Sequence, residues 1–458
     1  MTSAKTGSSK VESFRGAATA GTTGPISATD PTPARAGLAL RWVHPERAQP
    51  SVHLSRSAYA VGRDADNDIV ISGSAASRRH ARIEKRGGAL AVLDLGSKNG
   101  VFVDGARVNV APLVPGALLR VGDWVAIVHE SAGQAGDSVR ELFGGMVGSA
   151  ALGRALDVAR LAAPSGLPIL IGGETGTGKE LVARAVHAAS GRRGEFVAVN
   201  CAALTESLLD AELFGHERGA FTGADRARDG WVRQADGGTL FLDEIGELSP
   251  SGQAKLLRAL EQREVTPVGS SRGVPVDLRV VAATHRDLAR LVSENGFRAD
   301  LYARLEGATV QLPPLSGRRQ DIMELFLRFA ESALGRPSPR LSSRFVERLL
   351  WYDWPRNVRE LRHVAEKMAV LCAGEPEWRR RHLSELLPVS AARPAVVPSP
   401  LEAPGTHERD VKAALAACGG NVSSAARRLG VSKQSVYRWI TAHGIELEEL
   451  RARTRRRN

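Results

Sequence analysis

The chain has 458 residues, 43% of them hydrophobic, and carries a net charge of +12. That length implies two to four domains, because a single core rarely grows past about 250 residues. No stretch is apolar enough for a membrane span, and the opening MTSAKTGSSK has no apolar core, so no membrane association or secretory signal is expected and the location read from the sequence is cytoplasmic. Cys201, Cys372 and Cys418 lie far apart without metal-ligand spacing and read as small core residues. Residues 407–458 hold 11 Arg/Lys against 5 Asp/Glu, a local excess of +6 that points to a polyanionic partner.

Residues 1–36 are rich in Ser, Thr, Gly, Ala and Pro without apolar periodicity, which predicts disorder. Residues 37–131 carry short apolar runs (LALRWV, YAVG, DIVIS, HARIEK, LAVLDL, VFVDGARV, LLRVGDWVAIV) broken by turn signals such as Asn99-Gly100, and predict an all-β sandwich. A linker follows at 132–143. Residues 144–310 alternate helical stretches with the apolar strands LPILIGG, FVAVN, TLFLDE and LRVVAAT, the pattern of a parallel α/β sheet. Residues 311–390 read as helices throughout. A second linker at 391–405 precedes a short all-α module at 406–458.

Within the α/β region, GGETGTGKE follows a strand and opens the helix ELVARAVHAA. Glycines let backbone N–H groups wrap phosphates, a lysine reaches the outer oxygens and a helix N-terminus stands behind them. Gly173, Glu174, Thr175, Gly176, Thr177, Gly178 and Lys179 meet that need, whereas Glu180 stands where Ser or Thr usually assists magnesium. Asp243 and Glu244 end the next long apolar strand, where the first can hold Mg²⁺, directly or through water, and the second can activate a water. Thr284 closes a further strand at the place of a γ-phosphate sensor, and the neighbouring His285 reads by itself as an ordinary surface histidine. Between these motifs lies GHERGAFTGADRA, whose centre, Gly219, Ala220, Phe221, Thr222, Gly223 and Ala224, is uncharged. An apolar loop is either a buried turn or a surface for a partner.

The ordered set GETGTGKE, VNCAAL, ELFGHERGAFTGA, GGTLFLDE, QAKLLRALE, VVAATHRDL, FRADLYARL, LPPL and WPRNVREL resembles the AAA+ domain of bacterial enhancer-binding activators of sigma-54 RNA polymerase. In that family Glu commonly follows the loop lysine. The resemblance implies an ATPase with ATP and Mg²⁺ as cofactors, working as a homo-oligomer, a hexamer. It implies that Asn200 restrains Glu244, that Arg298 and Arg304 reach a neighbouring subunit's nucleotide, that Arg359 is the sensor arginine of a helical lid, and that Phe221 and Thr222 of the apolar loop touch sigma-54. Three stretches depart from the usual pattern: LSGRRQDI, RLEG and WPRN, the last with Arg356 where Gly is typical.

VGRDADNDIVIS, SRRHARI and DLGSKNGVFVDG together resemble a forkhead-associated (FHA) domain, which implies binding of a phosphothreonine protein, a Ser/Thr kinase or its substrate. Arg63 and Arg78 suit a dianionic phosphate, Ser77 can donate its hydroxyl, Asn99 can hold the peptide backbone, and His80 reads as structural. ERDVKAALAACGGNVSSAARRLGVSKQSVYRWITAHGI resembles a Fis-type helix-turn-helix for double-stranded DNA at an upstream activating sequence. Asn421 can cap its second helix and Ser432 its third. Arg427 and Arg428 would lie near phosphates, and Lys433, Gln434, Ser435 and Arg438 would face the major groove. The expected whole is an ATP-dependent activator that remodels the sigma-54 polymerase closed complex under phosphothreonine control. Two alternatives stand beside it: a DNA-binding regulator of ordinary polymerase whose nucleotide site serves only oligomerisation, and a protein remodeller unconnected to transcription.

Overall fold

The computed structural model describes residues 37–45, 51–86, 89–131, 139–203, 205–220 and 224–388, and parts of the segment from 404 onward: 404–418, 421–429, 436, 440 and 445. Expectations for residues 1–36 and for most of the two linkers lie outside these.

The N-terminal domain is all-β. A six-stranded sheet runs Val52–His53, Gly37–His44, Trp124–Ser131, Leu118–Val121, Val101–Val103, Ala106–Val108, and a five-stranded sheet runs Ile69–Val70, Ala58–Gly62, Ala81–Arg86, Ala89–Asp94, Val110–Pro112. Alternate residues of the strands, among them Tyr59, Val61, Ile83, Val92 and Val101, meet in one core. Trp42 and Trp124 are fully buried there with their rings edge to face at 5.5 Å.

The second domain has a five-stranded sheet in the order Phe196–Asn200, Thr239–Asp243, Arg279–Thr284, Ile169–Gly172, Ala308–Gln311, all parallel. Every residue of the central strand Arg279–Thr284 is buried, as expected when helices cover both faces. Pro250 at the first position and the Ser249 hydroxyl, which accepts from Gly252 N at 3.0 Å, start the helix Pro250–Gln262. Gly172, Asn200, Asp243, Thr284 and Gln311 line up at the carboxyl ends of the five strands, where parallel sheets bind ligands.

A helical subdomain follows, with Ile322–Leu334, Ser343–Trp351, Asn357–Leu371 and Arg380–Ser384 packed around Phe326, Phe345, Trp354 and Trp378. Its core does not stop at the subdomain. Val43, Leu118, Val125 and Ile127, from the outer face of the six-stranded sheet, belong to the same cluster, and the helix Ser343–Trp351 lies on that sheet. Arg120 Nε and Glu347 Oε1 pair across the junction at 2.8 Å, with side chains only 10% and 15% exposed.

In the C-terminal segment the helices Pro404–Ala417 and Val422–Leu429 share a small core of Val411, Leu415, Val422, Ala425, Val436 and Ile445. Asn421 Oδ1 accepts from Ser423 N and Ser424 N at 3.0 and 3.1 Å, capping the second helix. Ser432 lies outside the described residues. No helix among the described residues is long and apolar enough to cross a membrane.

Candidate nucleotide site and the loops around it

The segment from Gly173 to Lys179 joins a central strand to the helix Lys179–Ala189. Gly173, Gly176 and Gly178 all have positive φ (150°, 80° and 108°), so the tight path needs glycine at each. At Gly176 the need is also spatial, because a Cβ would collide with the Arg356 carbonyl. Thr177 Oγ1 donates to Glu174 O at 2.8 Å, holding the turn. Lys179 Nζ is buried, donates to Gly173 O at 2.8 Å and lies 3.5 Å from Glu244 Oε1. Glu180 is exposed and pairs with Arg184 one turn on, at 2.7 Å.

Glu244 follows its strand in a left-handed conformation (φ 54°, ψ 50°), which costs a residue with a Cβ about 1–2 kcal/mol. Its carboxylate accepts from His285 Nδ1 at 2.7 Å and from His285 N at 3.3 Å. Burial alone would raise its pKa, but the His285 hydrogen bond and then the Lys179 charge outweigh burial and hold it below the usual value. Burial, followed by the Glu244 charge, pushes Asp243 the other way. Asp243 Oδ1 accepts from Glu244 N at 3.1 Å, and its second oxygen has no hydrogen-bond partner among the described residues. Burial lifts the Cys201 thiol, beside these acids, to about 12, which leaves it an inert core group. Asn200 is level with Asp243 in the sheet, yet its Oδ1 accepts from Ala202 N at 2.9 Å. The contact to Glu244 is made by His285 instead. Thr284 is buried, and its Oγ1 accepts from Arg286 N at 3.0 Å.

The helical subdomain closes over the loop through residues that the motif reading passed over. Asn357, fully buried, donates from Nδ2 to Glu174 Oε2 at 3.0 Å and to Thr175 O at 3.1 Å, while its Oδ1 accepts from Leu315 N at 2.7 Å. Val358 N donates to Gly176 O at 3.0 Å, and Arg318 Nη2 to Thr177 O at 3.3 Å. Arg359 is exposed on the same helix, its Cβ beside Gly176. Arg298 and Arg304 stand apart from this cluster and exposed: Arg298 forks onto Asp300 at 3.0 and 2.7 Å, and Arg304 faces Glu261 at 3.7 Å.

The apolar loop rises from a short hairpin in which Gly215 pairs with Asp229 and His216 with Arg228. Gly219 N donates to Ala224 O at 2.8 Å, closing the loop base, and Ala224 is buried. Glu217 N and Val268 N tie this base to a second hairpin at 3.0 and 2.8 Å. Phe221, Thr222 and Gly223 lie outside the described residues.

On the β-domain, backbone bonds from Arg63 N to Ser77 O (2.9 Å) and from Asp64 N to Arg78 O (3.1 Å) hold two loops together. Lys98 N donates to Ser77 Oγ at 3.1 Å and Asn99 Nδ2 to Ala75 O at 2.8 Å, bringing in a third. Arg63, Ser77, Arg78 and Asn99 therefore stand on three tied loops at one end of the sandwich. His80 is buried beneath them, accepting from Ser77 N at 3.0 Å and reaching Gly100 O at 3.1 Å, and burial lowers its pKa.

Four family models match in chain order: an FHA domain at 59–122, a sigma-54 interaction domain at 146–311, an AAA+ ATPase lid domain at 316–395, and the bacterial regulatory protein, Fis family, at 411–442. The transcriptional regulatory protein ZraR of Klebsiella oxytoca is 47% identical over 304 residues, which cover 64% of this chain and 67% of that protein. The chain belongs to the sigma-54-dependent transcriptional activators. The Sigma54-dependent transcriptional activator SfnR of Pseudomonas putida is 52% identical over 214 residues, covering 46% of this activator and 58% of SfnR. Among solved structures, NtrX from Brucella abortus in complex with ATP is 30% identical, covering 64% of the activator and 68% of that chain with a TM-score of 0.48.

The activator thus carries an FHA domain ahead of its sigma-54 interaction domain and a DNA-binding helix-turn-helix behind it. Of the residues read for DNA contact, Arg427 and Arg428 fall in the helix Val422–Leu429, with side chains outside the described set; Lys433, Gln434, Ser435 and Arg438 lie outside it altogether. The residues missed in the sequence, Asn357 and Arg318, sit in WPRN and LSGRRQDI, two of the three stretches that depart from the family pattern.

Proposed function

We propose that this activator hydrolyses ATP and uses the nucleotide-dependent movement of its apolar loop to remodel the sigma-54 polymerase closed complex, under control of a phosphothreonine protein and tethered to upstream DNA. The amides of residues 173–179 and Lys179 hold the phosphates, and Thr177, Glu174 and Thr175 fix the loop. The residues fit a nucleotide with Mg²⁺: a carboxylate oxygen of Asp243 is without a partner among the described residues, while Glu180 is held by Arg184. Bound Mg²⁺ supplies neutralisation of the phosphate charge. Glu244 orients and deprotonates the attacking water, with His285 fixing its carboxylate. Thr284 and Arg359 report the state of the phosphates at the strand end and under the lid. Arg298 and Arg304, exposed on one helix segment, complete the site of a neighbouring copy in a hexameric ring, where an arginine can accelerate phosphoryl transfer by about 10³–10⁵.

Gly219, Ala220, Phe221, Thr222 and Gly223 form the surface offered to sigma-54, and Ala224, read with them in the sequence, is buried and anchors the loop base instead. Arg63, Ser77, Arg78 and Asn99 take a phosphothreonine segment. Arg427 and Arg428 meet DNA phosphates, and Lys433, Gln434, Ser435 and Arg438 read bases. The observation that carries the proposal is the meeting of Lys179 and Glu244, 3.5 Å apart under a loop of three positive-φ glycines, in a chain whose hairpin presents GAFTGA. Transcription in vitro from a sigma-54 promoter tests it: the wild type forms ATP-dependent open complexes, and Thr222→Ala hydrolyses ATP at the wild-type rate but forms none. Equal open-complex yield from the two proteins refutes the role of the loop.

A further inference from the structure

A cavity of about 500 Å³ lies between the FHA domain and the lid. It starts at Asn99 and Ala75 on the phosphopeptide loops and runs to Arg344 and to Arg379, Arg380 and Arg381 on the lid. Arg120 lines it as well, so five arginines face one carboxylate, that of Asp123. Three of these charges are already answered: Arg120 by Glu347 at 2.8 Å, Arg379 by Glu377 at 2.7 Å and Arg381 by Glu375 at 3.9 Å. Arg344 and Arg380 are exposed and have no carboxylate partner among the described residues. A cleft with such an excess of guanidinium groups suits carboxylates, which arginine grips through paired hydrogen bonds.

We propose that this cleft is the second half of the phosphopeptide site: the acidic residues flanking the phosphothreonine run from Asn99 onto the lid and are held by Arg344 and Arg380. The proposal rests on the reading of the FHA loops as a phosphothreonine site. Its ligand class is an acidic phosphothreonine peptide, and its specificity is written on the lid rather than on the FHA domain alone. One ligand then touches two domains. The lid also grips the nucleotide loop through Asn357 and Arg318, so the peptide and the nucleotide loop are held by the same helical subdomain.

The test uses the full-length protein and fluorescence anisotropy with three labelled peptides: a phosphothreonine flanked by Asp and Glu, the same phosphothreonine flanked by Ala, and the acidic peptide without phosphate. Wild type binds the acidic phosphopeptide roughly tenfold more tightly than the Ala-flanked one, as expected for two added charge-assisted contacts, and the margin shrinks with salt. In Arg344→Ala/Arg380→Ala the margin vanishes while Ala-flanked binding is unchanged, and Arg344→Lys/Arg380→Lys restores part of it. A margin that survives in the Ala double variant, or that wild type never shows, overturns the lid contribution while the FHA reading stands. If no phosphopeptide binds and Arg63→Ala behaves as wild type, the FHA reading itself fails, and this inference with it.

Discussion

Replacing Asn357 with alanine removes the clasp between lid and nucleotide loop, and the cost follows from two separable sources. The first is electrostatic: Leu315 N loses its acceptor at 2.7 Å in a site with no solvent access. The second is conformational: Asn357 has φ 51°, which asparagine tolerates and alanine does not. A buried donor left unsatisfied costs about 1–3 kcal/mol and a left-handed Cβ-bearing residue about 1–2 kcal/mol, so Asn357→Ala weakens the junction by roughly 2–5 kcal/mol. Asn357→Gly keeps the electrostatic loss and relieves the backbone one, which separates the two. Native-state hydrogen exchange read at the Leu315 amide is the direct assay: the lower bound corresponds to exchange faster by roughly 30-fold in the alanine variant, with the glycine variant between it and wild type. Affinity for ATP falls in parallel, since Glu174 and Thr175 lose the same side chain. A Leu315 amide that exchanges at the wild-type rate in Asn357→Ala would refute the reasoning.

Other consequences are equally open to measurement. Glu244→Gln lowers the ATPase rate by about 10²–10⁴ while leaving nucleotide binding within a few-fold, and a rate near wild type removes Glu244 from the chemistry. Glu347→Ala removes the ion-pair partner of Arg120 at the FHA–lid junction, leaving its guanidinium only the Gly122 carbonyl at 3.2 Å and the Phe102 ring, and destabilises the docking by about 3 kcal/mol, seen as faster proteolysis at the junction; replacing both partners by apolar residues restores it. Asp321 is fully buried, and burial pushes its carboxyl up to about 6 against the opposing pull of Arg318 and of its hydrogen bond with Ser149. A folded pKa above the unfolded one means that the stabilisation is full below the ordinary aspartate range and is lost as pH rises through about 6. The stability of wild type relative to Asp321→Asn therefore falls between pH 4 and 6 in chemical denaturation, and a constant gap across that interval contradicts the assignment.

The sequence reveals what rests on local chemistry. A loop that wraps phosphates needs glycines and a lysine at fixed spacing, and an acid pair at a strand end needs only the strand, so Gly173 to Lys179 and Asp243-Glu244 were legible as motifs. Contacts between distant segments were not. Asn357 and Glu174 are 183 positions apart, and nothing near either announces the other. His285 read as a surface histidine, and it is indeed partly exposed, but its ring is turned onto Glu244, a relation set by the packing of adjacent strands. One signal of the FHA–lid junction was present in the letters: LLRVGDWVAIV is nearly continuous in apolar residues rather than alternating. A strand apolar on both sides has both faces covered. The second cover is the lid, and Leu118, Val125 and Ile127 are the residues that it covers.

That shared apolar face also bears on how this activator is to be dissected. Cutting the chain after the FHA domain would strip cover from the lid helix Ser343–Trp351, which carries Leu349 among its buried residues, leaving a greasy surface where a packed one existed. Such a truncated protein would tend to self-associate whatever the FHA domain's regulatory sign, and a change in its activity would report sticky ends as much as lost control. A cleaner cut keeps the FHA domain in place and breaks only its ligand loops, or replaces the uncovered lid residues with polar ones in the same step. In this molecule the FHA domain is part of the lid's coat.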